Sequence, residues 1–214
     1  MGHDYTAARQ TMVEHQIEAR GIAEPRLLGA LREVPREAFV PEGLAAFAYD
    51  DTALPIAEGQ TISQPYIVAA MIDAAAIGPA DRVLEVGAGS GYAAAVLSRL
   101  AGQVFAIERI GTLADAARVR LARLGYDTVT VIAGDGSGGL PGEAPFDAIL
   151  VAARGPRVPD VLKRQLAIGG RLVIPVGDED VQSLCRLTRI GEEEWTSADL
   201  GPVRFVPLIG RHGL

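Results

Sequence analysis

Short apolar runs alternating with helix-like stretches set the rhythm of this chain. Residues 82–86, RVLEV, form an apolar run with β-branched members that breaks into a glycine-rich turn, and residues 92–100 read as helix. Residues 103–107, 128–132, 146–151 and 171–176 repeat the buried-strand pattern, the last of them introduced by Gly169 and Gly170. Residues 160–166 read as helix, 181–190 alternate as a strand, 191–194 make a charged turn, and 203–208 are expected to close the sheet as its seventh strand. Upstream, residues 4–20 place Ala8, Met12 and Ile17 on one helical face, which Gly21 ends as a C-cap. A second helix is expected over residues 24–33, and Pro35 and Pro41 bracket one further turn. Residues 51–66 hold no sustained period, and a helix over 64–77 follows, with Ser63 as its expected N-cap and a start able to bind a carboxylate. Strands alternating with helices predict an α/β fold, a doubly wound and mostly parallel seven-stranded sheet with an N-terminal helical extension.

Composition narrows the function. With 214 residues, 49% of them hydrophobic, the chain can bury one core and a modest extension. A net charge of −7 provides no basic field for a phosphate backbone, so nucleic acid is not an expected partner. One cysteine, Cys185, sits in an apolar run, which rules out an intrachain disulfide or a zinc cluster and reads as a small buried hydrophobe. Neither a basic-then-apolar leader nor an apolar run of about 18 residues occurs, so no membrane partner is expected and a cytoplasmic monomer is. His15 lies among polar residues and His3 and His212 near the chain ends, so none reads as a general base.

The glycine-rich turn carries the first chemistry. Gly87, Gly89 and Gly91 let the backbone bend sharply and let a ligand approach peptide N–H groups, while the following helix directs its positive end there. A nucleoside cofactor with a charged tail fits such a turn. The dinucleotide pattern G-x-G-x-x-G needs a glycine at position 92, where Tyr92 stands, so a dehydrogenase reading fails. What stands instead is E-x-G-x-G-x-G, Glu85 through Gly91, which resembles motif I of the class I, Rossmann-like methyltransferases that use S-adenosyl-L-methionine. Glu108, at the carboxyl end of the next strand, can accept from both hydroxyls of a ribose. Asp135, between Gly134 and Gly136, is a turn residue, and in such a fold it also stands where an adenine amino group needs an acceptor.

A wider resemblance follows from DTALPIAEGQTISQPY at residues 51–66 taken with VLEVGAGSGY at 83–92. Together with ARGI, VPREAFVP, GDG, FDAILV and VRFVPL, these segments are similar to the protein-L-isoaspartate (D-aspartate) O-methyltransferase family over nearly the whole chain. The hydroxyl motif Thr61-Ile62-Ser63 is the most discriminating part, because methyltransferases in general lack it. The resemblance implies one methyltransferase domain over residues 1–214: N-terminal helices and a substrate-site segment over 1–66, a cofactor-binding core over 67–180, and C-terminal strands over 181–214. It implies that Thr61, Ile62, Ser63 and Gln64 wall the substrate site, with Ser63 catalytic and Val206 holding the substrate peptide through its backbone. Glu85, Gly87, Gly89 and Gly91 would serve the methionine end of S-adenosyl-L-methionine, Glu108 the ribose, and Asp135 with Gly136 the adenine. The implied substrates are isoaspartyl-containing proteins and peptides, whose methyl ester collapses to a succinimide and restores some normal aspartate.

The chemistry agrees with that implication. A carboxylate is already ionised at neutral pH, so methyl transfer to it needs alignment rather than a strong base. Ser63 lies in no G-x-S-x-G elbow and has no evident histidine partner, so it reads as an orienting hydroxyl and not as a covalent nucleophile. Two positions depart from the family pattern. Arg154 stands in a segment that is usually neutral and is expected to face solvent, and Val68 stands where some members carry a polar residue. The competing readings are an aspartate O-methyltransferase dedicated to one peptide product and a non-catalytic adenosyl-binding module; intact Ser63, Glu108 and Asp135 count against the latter.

Overall fold

A computed structural model describes residues 4–214, so His3 lies outside the described residues. Helix α1 (Tyr5–Met12) is capped by the Asp4 carboxylate and runs on through a wider π turn (Val13–Ile17) and a tight turn (Glu18–Arg20) to Gly21, whose φ of 96° ends it as expected. Helix α2 (Pro25–Glu33) follows, then a single turn at Arg36–Phe39. A two-stranded hairpin, β1 (Leu54–Pro55) with β2 (Thr61–Ile62), precedes α3 (Pro65–Ala75). The alternating core comprises β3 (Arg82–Val86), α4 (Tyr92–Ser98), β4 (Gln103–Glu108), α5 (Gly111–Arg123), β5 (Val129–Ala133), β6 (Phe146–Val151), α6 (Asp160–Arg164) and β7 (Leu166–Gly177). Strands β8 (Gln182–Gly191) and β9 (Glu194–Pro202) complete it.

One seven-stranded sheet results, in the order β5-β4-β3-β6-β7-β8-β9, with five parallel strands and then two antiparallel ones. Both faces of the parallel part are covered, which is why its strands read as continuous apolar runs. Val83, Val104, Ala106, Ala148 and Leu150 pack on the side of α1 to α5, and Leu84, Val86, Phe105, Ile107 and Ile149 pack with Leu162 and Leu208 on the other. Strand order reverses between β3, which continues to β4, and β6, so the carboxyl ends of these strands open a crevice.

Four expectations are corrected. The seventh strand is Glu194–Pro202 and not residues 203–208: as an edge strand it buries almost nothing, so no apolar alternation marks it. Residues 203–208 instead leave the ladder after Gly201 at φ 103° and donor-less Pro202: they hydrogen-bond Gln182 through Val203 and Phe205 and form an isolated bridge to Arg154. Ser63 does not cap α3. Pro65 fills the first helical position and forces its predecessor into an extended conformation, so Gln64 is the N-cap and its amide goes to Asp51 Oδ1 at 2.7 Å. That helix also stops at Ala75, because Ala76 turns left-handed at φ 49°. Cys185 is half-buried on β8 and not a core residue, and burial pushes its thiol pKa up. Helix α5, on which the sequence pattern places no strong apolar stripe, covers β4 and β5 with Leu113, Ala114, Ala117 and Leu121.

The exposed carbonyls at the end of α3 are satisfied from the sheet: Arg171 donates Nε to Ala75 O at 2.7 Å and Nη2 to Ala76 O at 2.5 Å, and pairs with Asp81 at 3.0 Å. Arg171→Ala should therefore lower unfolding free energy by about 2 kcal/mol in urea titration, since it strands two carbonyls and a part-buried carboxylate.

Candidate active site

A cleft of about 920 Å³ opens at the carboxyl ends of β3, β4 and β6, near the upper end of the range of about 300–1,000 Å³ usual for small-ligand sites. Its floor is the turn from β3 into α4. Gly87, Gly89 and Gly91 hold φ of 90°, 51° and 87°, a region that side chains disfavour. Gly87 N–H donates to Ile107 O at 2.8 Å, which ties the turn to the neighbouring strand. Gly87 and Gly89 line the cleft, whereas Gly91 faces the protein: a Cβ there would press Leu121 Cδ1 at 3.2 Å. Gly91 thus lets α4 and α5 close together behind the loop.

Glu108 secures the same turn from β4. Its Oε2 accepts from Gly89 N at 2.9 Å and its Oε1 from Ile110 N at 2.9 Å, and the buried carboxylate lines the cleft with one further lone pair on each oxygen. Two vicinal hydroxyls match that pair of acceptors. Glu85, on β3 beneath the turn, is 3% exposed and lines the cleft, with Oε2 buried and unpartnered. Burial, then the nearby Glu108 charge, push its pKa up to about 8, against which the Ala94 N–H in the first turn of α4 acts.

On the third side, Gly136 lines the cleft, and any Cβ there would collide with Val86 and Ile107. Asp135 is not among the lining residues. Its Oδ1 accepts from Ser137 N at 2.9 Å and Ser137 Oγ at 2.7 Å, and its Oδ2 accepts from Arg211 N at 2.8 Å. The Arg211 N–H, followed by the Ser137 hydroxyl, holds this carboxyl below the usual range. His212 N donates to Ser137 Oγ at 3.0 Å, so residues 210–212 clasp the Asp135 turn from outside. Gly210 is required there, because a Cβ would collide with the Asp135 carboxylate and Ser137 Oγ.

Thr61, Ile62, Ser63 and Gln64 all line the opposite wall, brought there by the hairpin. Its tip lies over the glycine turn: Ile56 Cδ1 comes within 3.5 Å of where a Gly89 Cβ would be, and Glu58 accepts from Thr112 Oγ1 at 2.8 Å. Val206 lines the rim and is exposed; its carbonyl accepts from Arg154 N at 2.8 Å, while Leu208 N donates to Arg154 O at 2.8 Å. The Arg154 backbone therefore orders the rim although its side chain is not part of the lining. Sequence reasoning assigns no role to Asp51, Gln60, Arg109 and Arg204, which also line the cleft; Asp51, Gln60 and Arg204 lie within the segments that carry the resemblance, and Arg109 directly follows Glu108. No histidine lines it, His15 is exposed, and no group of residues suited to a metal occurs among the described residues.

The model of the family described as Protein-L-isoaspartate(D-aspartate) O-methyltransferase matches residues 7–213. A Rhodopseudomonas palustris protein-L-isoaspartate O-methyltransferase is 59% identical over 203 residues, 94% of this chain and 93% of that one. Its counterpart in Methylorubrum extorquens is 61% identical over 206 residues, covering 96% and 90%. Among solved structures, a protein-L-isoaspartate O-methyltransferase superposes with a TM-score of 0.85 at 27% identity, over 96% of this chain and 67% of that one. A Plasmodium falciparum chain described as the same enzyme, in complex with S-adenosyl-L-homocysteine, gives 0.81 at 25% identity, over 94% and 98%.

The raised pKa of Glu85 has a measurable consequence. Its folded pKa of about 8 exceeds the value of 4.5 for a free carboxyl, so folding takes up a proton and stability falls as pH rises from about 4.5 to about 8. Glu85→Gln should remove that decline: thermal melts at pH 5 and pH 8 should differ less in the variant than in the parent.

Proposed function

The chain belongs to the protein-L-isoaspartate (D-aspartate) O-methyltransferase family, and we propose that the cleft described above is where its residues perform this reaction. The enzyme transfers a methyl group from S-adenosyl-L-methionine to the free carboxylate of L-isoaspartyl residues in damaged proteins and peptides, which initiates their repair through a succinimide. The observation that carries the site assignment is the convergence of two walls on one cleft, the hairpin wall 61–64 and the glycine turn with Glu108.

The residues fit the cofactor. Gly87 and Gly89 leave a backbone cradle, Glu108 keeps acceptor capacity for the ribose hydroxyls, and Gly136 leaves a flat wall for the adenine. Asp135 fixes that wall from behind through its hydrogen bonds to Ser137 and Arg211. Glu85 and Gly91 set the strand end and helix start that frame the methionine end. When bound, S-adenosyl-L-methionine supplies a methyl group on a sulfonium, which makes it electrophilic. Ser63 orients the acceptor carboxylate with its hydroxyl, Thr61, Ile62 and Gln64 shape the seat, and the hairpin over the glycine turn excludes water. Orientation of this kind is worth about 7 kcal/mol or more, and no base is needed because the acceptor is ionised at neutral pH. Val206 presents its backbone to the substrate peptide; its carbonyl is engaged by Arg154, which leaves the N–H for this role.

Residues of the segments 1–66, 67–180 and 181–214 all line the cleft, which supports reading them as parts of a single domain. No helix among the described residues is long and apolar enough to cross a membrane, and the net charge of −7 offers no basic field for a nucleic-acid partner.

Two peptides differing only in an isoaspartyl or aspartyl linkage separate the readings, with base-labile methyl ester as the readout. Ester should form on the isoaspartyl peptide alone, and Ser63→Ala should lower turnover about 100-fold. Cofactor binding with ester on neither peptide would favour a dedicated peptide partner or a silent binding role. Gly210→Ala should push residues 210–212 off Asp135 and weaken S-adenosyl-L-homocysteine binding about tenfold in calorimetry, the equivalent of roughly one hydrogen bond to a charged group.

A further inference from the structure

Arg36 is fully buried beneath the substrate wall, in the turn that follows α2. Its Nε donates to Ala48 O at 2.7 Å and its Nη2 to Ser63 O at 2.8 Å. The guanidinium lies 4.8 Å from the ring centre of Tyr92, the first residue of α4 and itself part of the cleft lining. No carboxylate among the described residues pairs with it, and beyond the two carbonyls the Tyr92 hydroxyl is a polar neighbour. A guanidinium is a costly way to fill such a space, because an ion taken from water without a counter-charge loses several kcal/mol. Burial lowers the Arg36 pKa accordingly.

The position of the charge has a chemical use. Through the Ser63 carbonyl, Arg36 fixes the peptide plane from which the Ser63 side chain projects, and through Tyr92 it touches the start of the helix that follows the glycine turn. One side chain thus joins the two walls between which the methyl group must pass. Its field is positive behind the seat where an anionic acceptor has to lie, within a part of the protein that water does not screen.

We propose that Arg36 is a positioning residue for the methyl acceptor, locking the Ser63 peptide from behind and supplying buried positive charge to the carboxylate's seat. This rests on the reading of the Ser63 wall as the acceptor site. It adds no bond-making step: the guanidinium stays protonated and never touches the reacting atoms.

A double-mutant cycle of Arg36→Met and Ser63→Ala tests it, with kcat and KM measured for isoaspartyl peptide, S-adenosyl-L-homocysteine affinity by calorimetry, and thermal melts. Arg36→Met should bind S-adenosyl-L-homocysteine within about threefold of the parent and lose about 100-fold in turnover of the peptide, the loss expected from a misplacement on the order of 1 Å. In the Ser63→Ala background the same change should cost much less, since the hydroxyl it positions is gone. Arg36→Lys, which keeps the charge but cannot span both carbonyls, should recover part of the loss. Parent-like turnover in Arg36→Met, fully multiplicative effects, or parallel loss of cofactor binding and melting cooperativity in both Arg36 variants would each overturn the proposal. If Arg36→Met does not fold, the cycle is run with Arg36→Lys and read the same way. Parent-like turnover in Ser63→Ala alone would instead overturn the assignment of Ser63, whatever Arg36 does.

Discussion

The Glu108 carboxylate, shared between the Gly89 and Ile110 N–H groups, is the contact on which the rest of the cleft depends. A strand that must pass at once into a helix leaves unpaired N–H groups at the turn, and left-handed glycines expose them further. Glu108 satisfies one of them from the next strand, so the carboxyl ends of β3 and β4 are held in one register as the chain reverses. The same two oxygens then face the cleft. A group that closes the fold locally is therefore also the group best placed to accept a ligand's hydroxyls.

Around that contact the protein buries several polar groups. Glu85 Oε2 has no partner, and the Arg36 guanidinium meets Tyr92 in the buried space directly behind the two walls of the cleft. Elsewhere the two apolar clusters flanking the sheet are built from aliphatic and aromatic side chains in the usual way. Gln16 Oε1 and Trp195 Nε1 are likewise buried without a partner but lie outside the cleft lining, so a buried polar atom does not by itself mark the site.

What could be read in advance follows this division. The glycine turn was legible because backbone sterics demand that residue type at positive φ, and Glu108 because a carboxylate ending an apolar strand stands out from its neighbours. The parallel strands were legible because both of their faces are buried. Strand β9 was not, since an edge with little buried surface carries no periodic signal, and Ser63 was mistaken for a cap because Pro65 moves the helix start by one residue. The location of Asp135 outside the lining, and the clasp it makes with Arg211, depend on contacts between residues 76 positions apart, which local pattern does not encode.

That clasp bears on how the protein is made. Residues 203–212 follow every strand of the sheet in order of synthesis, yet they supply the Val206 rim and the hydrogen bonds that hold the Asp135 turn. A chain folded only as far as Pro202 has its whole sheet, while the Val206 rim and the clasp on the Asp135 turn are still missing. The last stretch to be made thus adds no strand to the sheet: it finishes the mouth of the cleft on a scaffold that is already complete.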